Sequence, residues 1–222
     1  MREVDDELRR DQMATAWRRW GLIAIGAVIA GLIAFAGWLY WQHRQEQQAG
    51  VEGEQLQAAY DQMQAGQARQ AEPALATLAQ SKRDGYRALA QLAQADALLA
   101  RNDTKGATAK LAAVAGDTSL GQPFRDIATV RWTALEFDTL PPAQVVDRLR
   151  SLAVPGNPWF GSAGEMTAIA HLRANRRDLA GKLFGQIAKG EDVPETIRQR
   201  AVQMAGLLGV DAAPTTPGTP NS

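Results

Sequence analysis

A chain of 222 residues with 24 basic and 24 acidic side chains carries no formal net charge, so it has no basic excess with which to neutralise nucleic acid. It contains no cysteine, which excludes disulfide stapling, thiolate nucleophiles and thiolate metal sites and leaves packing to hold the fold. Arginine outnumbers lysine nineteen to five, a bias that reads as codon usage and not as a phosphate-binding surface.

Residues 1–20 mix Arg2, Arg9, Arg10, Arg18 and Arg19 with Glu3, Asp5, Asp6, Glu7 and Asp11. Then come twenty-one residues without a charge, Gly21 to Trp41. As a helix they extend about 31 Å, against a hydrocarbon core of roughly 30 Å. A cleaved secretory signal has a shorter apolar core and stops at a small-x-small site. Ala34-Phe35-Ala36 fits that site, but the apolar run continues through Gly37 to Trp41 and its N-terminal flank is rich in acids, so the segment reads as a permanent anchor. Lys and Arg are retained on the cytoplasmic side, and only Arg44 lies within the twenty residues that follow. Residues 1–20 are therefore expected in the cytoplasm, 21–41 across the membrane and 42 onward outside. Trp17 and Trp20 at one end, with Trp38, Tyr40 and Trp41 at the other, put amphipathic rings at both headgroup levels. The anchor is thus marked by Trp20 and Gly21 at its entry and by Gly37, Trp38, Tyr40 and Trp41 at its exit. Gly26, Ala30 and Ala34 form a small face spaced by four, open to close approach by another helix.

From 42 to 210 the sequence is dominated by Ala, Leu, Gln and Arg, with no alternating Val/Ile/Thr run, which predicts an all-α domain. A small-large-large trio recurs at helical spacing: Ala71, Leu75, Leu78; Ala107, Leu111, Val114; Val145, Leu149, Leu152; Ala180, Phe184, Ile187. The intervals are 36, 38 and 35 residues. Twelve residues before each trio stands a small side chain, Ala59, Ala95, Thr133 and Ala168, and eight before it a large one, Met63, Leu99, Phe137 and Leu172. Two helices per unit of this length, with a small residue at their crossing, resemble tetratricopeptide repeats and imply a helical solenoid. Gly66, Asn102 and Asn175 supply the left-handed backbone the turns need, and the third unit carries a Pro-Pro turn in its place.

Helix borders are read from caps. In "GNPWF", Asn157 is expected as N-cap and Pro158 at the first helical position, and in "DVPET" Asp192 or Val193 is expected to open a final helix. That helix carries Ile197, Ala201, Met204, Ala205 and Leu208 on one side, with Arg198 and Arg200 expected to point away, as a cap on the open end of an array. The segment 211–222, "DAAPTTPGTPNS", has nothing to bury and reads as a disordered tail.

Little catalytic chemistry is present. His43 and His171 stand far apart without acids at ligand spacing, and no phosphate loop, HExxH, GxSxG or Ser-x-x-Lys pattern occurs. The sequence therefore predicts a protein without catalytic residues, metal, cofactor or small-molecule substrate. Trp159 and Phe160, in the first turn of the fourth unit's first helix, are the candidate partner-binding residues, since a few large aromatics carry most of the energy of an interface. The opposing reading packs one or both rings in the core near Leu149 and Leu152.

The acidic N-terminus, the exit Gly37-Trp38-Leu39-Tyr40-Trp41, the Gln-rich helix leading to Tyr60 and "GYRALAQLAQADALL" resemble the YfgM-type ancillary subunit of the bacterial Sec translocon. The resemblance runs to about residue 210. It implies a single-pass inner-membrane protein with a periplasmic repeat domain over 42–210, found with the SecYEG translocon and a membrane-anchored periplasmic chaperone and assisting newly exported chains. A division or outer-membrane assembly scaffold, and a regulator acting through the cytoplasmic N-terminus, are the competing classes.

Overall fold

The computed structural model describes residues 3–211, with side chains from Ile25 onward except Gln45. The side chain of Trp20, the surroundings of Gly21, the N-terminal arginines and the tail from residue 212 lie outside what is described. Among the described residues the chain is helix and loop without strand, as expected. It divides into two compact units at the junction of Glu54 and Gln55.

The first unit lies in the long helix α1 (Glu3–Gln64). From Ile25 to Trp41 every large apolar side chain of α1 is exposed, including Ile33 at 68% and Trp41 at 61%. A helix apolar on all sides needs either a protein core or lipid around it. By length and composition this one is able to cross a bilayer.

The second unit is built from helix pairs. The last turns of α1 pair with α2 (Ala68–Leu78), α3 (Asp84–Ala100) with α4 (Thr104–Gly116), α5 (Gln122–Glu136) with α6 (Pro142–Leu149), and α7 (Phe160–Arg173) with α8 (Arg177–Ala188); α9 (Glu195–Leu207) follows. All four small-large-large trios are buried. Each lies in its own cluster: Leu75 with Ala59, Leu111 with Ala95, Leu149 with Val130, Phe184 with Ala168. The core is therefore segmented along the array, each cluster belonging mainly to one pair, as in a solenoid. Fully burying one such Leu or Phe contributes about 1.5–3 kcal/mol. The four crossing residues, Ala59, Ala95, Thr133 and Ala168, have no exposed surface. Thr133 is tolerated there because its hydroxyl donates to the Thr129 carbonyl at 2.7 Å within its own helix.

The turns follow the sequence closely. Gly66, Asn102 and Asn175 all have positive φ, at 75°, 62° and 58°. Each is followed by the same closing bond, in which the N–H of Gln67, Asp103 or Arg176 donates to the carbonyl of Gln62, Leu98 or His171. The third pair has no such residue, and α6 is only eight residues long. Two arginines compensate. Arg148 of α6 lies over the Trp132 ring, 3.6 Å from its centroid, and bonds Glu136 at 2.7 Å, tying α6 to α5. Arg173 of α7 donates to the carbonyls of Phe137, Asp138 and Leu140, at 2.6, 3.3 and 3.1 Å, satisfying acceptors just beyond the end of α5.

Helix α9 buries Ala201 and Ala205, packs Ile197, Met204 and Leu208 against the last cluster, and exposes Glu195, Thr196, Gln199 and Gln203. Val210 beyond it settles on α8 at a glycine step: a Cβ on Gly181 or Gly185 would stand 2.9 or 3.1 Å from the valine methyls. Two local expectations are corrected. Asn157 does not directly cap α7; its side chain accepts from the Trp159 N–H at 2.8 Å, an Asx turn that places Trp159 at the cap and Pro158 in the turn before it. Val193 is buried against Gly161 and Gly190, and Pro194 takes the cap of α9. Arg200 is exposed, as expected, and from the border of the apolar stripe its guanidinium also bonds Glu165 on α7.

Candidate interaction surface

Polar side chains add to the apolar contacts between neighbouring first helices. Arg131 of α5 pairs with Asp96 of α3, and Arg200 of α9 with Glu165 of α7. Tyr60, near the end of α1, belongs to the same group. Burial first and Asp96 second push its phenol above the ordinary tyrosine range, against the opposing pull of Arg131. Tyr60, Asp96, Arg131, Glu165 and Arg200 follow one another at intervals of 36, 35, 34 and 35 residues, one from each first helix. The apolar periodicity does not reveal this ladder. The signal that finds it is the same repeat period applied to polar residues.

On the side of the second helices, Glu72 of α2 pairs with Arg101 at the end of α3. Beside them Leu75, Ala76, Gln94, Ala97, Leu98 and Lys110 line a cleft of about 270 Å³. A larger cleft, of about 420 Å³, opens between the loop Pro155–Pro158 and residues 189–193, with Phe160 in its lining.

Of the candidate partner residues, Phe160 is 4% exposed within the last core cluster. Trp159 is half-buried against the third cluster, beside Leu149 and Leu152. The two adjacent rings therefore enter different clusters, and Trp159 retains the more accessible surface. At the membrane exit Trp38, Tyr40 and Trp41 are exposed, and Trp38 stacks on Phe35 with centroids 5.9 Å apart. His171 is half-buried, and its ring is pushed below the ordinary histidine value by burial and then by Arg176, with Asp178 opposing. Among the described residues no cluster of three His, Cys, Asp or Glu has the arrangement of a metal site.

The tetratricopeptide repeat-like domain model matches residues 15–156. The chain belongs to the tetratricopeptide repeat-like family. The match takes in the apolar run and the first three helix pairs; the fourth pair and α9 lie beyond it but continue the same spacing. No curated protein and no solved structure matches the chain. Tetratricopeptide-like arrays are in general non-catalytic and work as scaffolds for protein–protein interaction, with curved surfaces built by stacking the pairs. The polar ladder and the two clefts are the features such a scaffold offers here.

Proposed function

We propose that this protein is a single-pass scaffold of the bacterial inner membrane, with residues 1–20 cytoplasmic, 21–41 spanning the bilayer and 42–210 forming a periplasmic interaction domain without catalytic activity. In this reading it associates with the SecYEG translocon and a membrane-anchored periplasmic chaperone and assists newly exported chains. The observation that carries it is the combination, in one chain, of a span-length apolar helix with exposed side chains and a tetratricopeptide-like array. The resemblance of the exit sequence Gly37-Trp38-Leu39-Tyr40-Trp41 to the YfgM-type subunit supports the choice of partners. Tethering an array at a membrane raises its effective concentration for whatever emerges there. Trp20 and Gly21 mark the cytoplasmic border, Gly37, Trp38, Tyr40 and Trp41 the periplasmic one, and Trp159 with Phe160 the partner contact.

Crosslinking tests the partners. A photoreactive residue in place of Gln48, in membranes of the native host, is expected to capture translocon subunits or the chaperone. Reproducible capture of division or outer-membrane assembly proteins in their place overturns the assignment. Orientation has its own readout: a cysteine at Gln48 is expected to react in intact cells with a thiol reagent that does not cross the inner membrane, and one at Gln12 is not.

A further inference from the structure

We propose that the segment 212–222 of this chain turns back along α8 and seats its prolines in the cleft between the loop Pro155–Pro158 and residues 189–193. The proposal goes beyond the scaffold reading and does not depend on which membrane complex the protein joins.

The course of the chain after α9 sets the direction. A Cβ on Gly181 would meet Leu208 at 3.3 Å and Val210 at 2.9 Å, whereas one on Gly185 would meet Val210 alone, at 3.1 Å. Past the positive-φ turn at Gly209 the backbone therefore runs along α8 toward its C-terminal end. Lys189, on the rim of the cleft, lies four residues beyond Gly185, about 6 Å along the helix axis. Eleven residues in the extended polyproline form reach about 34 Å, enough to enter the cleft and cross it.

The chemistry of the two surfaces matches. The cleft, of about 420 Å³, lies within the roughly 300–1,000 Å³ of ligand pockets. Buried Phe160 and Val193 give it apolar lining, and exposed Pro155 and Pro158 stand on its wall. Gln186 also lines it, exposed and with its side-chain amide unbonded among the described residues. The segment that follows α9 contains "PTTPGTP", with Pro214, Pro217 and Pro220 at intervals of three. A polyproline helix has three residues per turn, so these rings fall on one edge, and its backbone carbonyls stay free to accept from a donor such as the Gln186 amide. Segments of the Pro-x-x-Pro type dock by such an edge on aromatic-lined apolar surface. Residues 212–222 carry no charged side chain, so they enter past Lys189, Glu191 and Asp192 without burying a charge. A segment tethered this close has an effective concentration in the mM range, which gives it precedence over a proline-rich segment of another protein.

The test uses the absence of native cysteine. The full chain in detergent micelles carries Thr216→Cys together with either Lys189→Cys, on the rim, or Lys182→Cys, beside Gly181 on α8 and outside the cleft. A segment that only diffuses on its tether reaches both positions. Docking is expected to make disulfide formation at position 189 about tenfold faster than at 182, by raising the local concentration of the one thiol at the other. Serine in place of Pro214, Pro217 and Pro220 is expected to remove that preference and to leave the melting curve unchanged. Gln186→Trp, which fills the cleft from an exposed position, is expected to remove it as well, with circular dichroism melting to monitor the fold. Equal rates at the two positions, a preference that survives loss of the three prolines or filling of the cleft in a folded protein, or disulfides that mainly join two chains overturn the proposal.

Discussion

Arg200 on α9 holds Glu165 on α7 through two parallel hydrogen bonds, Nε to Oε1 and a terminal nitrogen to Oε2, each 2.7 Å long. The geometry is bidentate, which a lysine cannot reproduce. It joins two first helices 35 positions apart in sequence, the same separation that joins Asp96 to Arg131. We expect Arg200→Ala and Glu165→Gln each to lower the melting temperature, and the double variant to lower it by less than the sum. Arg200→Lys should recover only part of the loss. The coupling should shrink as salt is raised, because the guanidinium is open to solvent. Additive effects at low salt would show that the pair contributes nothing beyond its separate side chains.

The left-handed turns give a second prediction. Asn102 has φ 62°, in the region that costs a residue with a Cβ about 1–2 kcal/mol, a cost Asn partly avoids and Gly escapes. Asn102→Ala is expected to destabilise the domain by about 1 kcal/mol and Asn102→Gly to leave it equal or more stable. Denaturant midpoints of the two variants decide this, and a Gly variant that melts well below the parent refutes it.

These turns also mark how far the sequence could be read. The trios and crossing residues were legible because burial in a helix pair repeats every 36, 38 and 35 residues, and an apolar face has few ways to be satisfied. Gly66, Asn102 and Asn175 were legible because only a few residue types accept positive φ. The partner of Arg200 was hidden for a physical reason: an exposed long side chain has many acids within its reach, and only the position of Glu165 on the neighbouring first helix selects one. Arg173 was equally hidden, since its three carbonyl partners lie 33 to 36 residues earlier. The candidate site was less legible than the fold. Trp159 is the cap residue of α7 and Phe160 its first helical residue, so the adjacent pair divides between two environments at the point where the turn becomes helix.

That division yields a third prediction. Phe160 is 4% exposed in the last cluster, so Phe160→Ala is expected to cost about 3–5 kcal/mol. Trp159→Ala, at a half-buried ring, is expected to cost less and to lower recovery of a crosslinked partner in membranes where the protein remains folded. A Trp159 variant that melts as early as the Phe160 variant assigns both rings to the core and ends the partner role of this turn.

His171 supplies a prediction in pH. Burial is the larger cause that depresses its basicity, Arg176 is the second, and Asp178 works against both. The folded state therefore binds its proton less readily than the unfolded chain does. The stability this residue contributes is whole above the ordinary histidine value of 6.5 and is lost as pH falls through the depressed native value. Melting measured downward from neutral pH should show this loss, and His171→Gln should remove that component of the slope. The imidazole proton resonances, followed through a titration of the His43→Gln protein in micelles, should report a midpoint below 6.5. Arg176→Gln should move that midpoint up, since it removes a repelling charge, and Asp178→Asn should move it down. A midpoint at or above the ordinary value, or one that ignores both substitutions, would mean that the ring is solvated in the folded domain and that the end of α7 is more open than its packing on α8 implies.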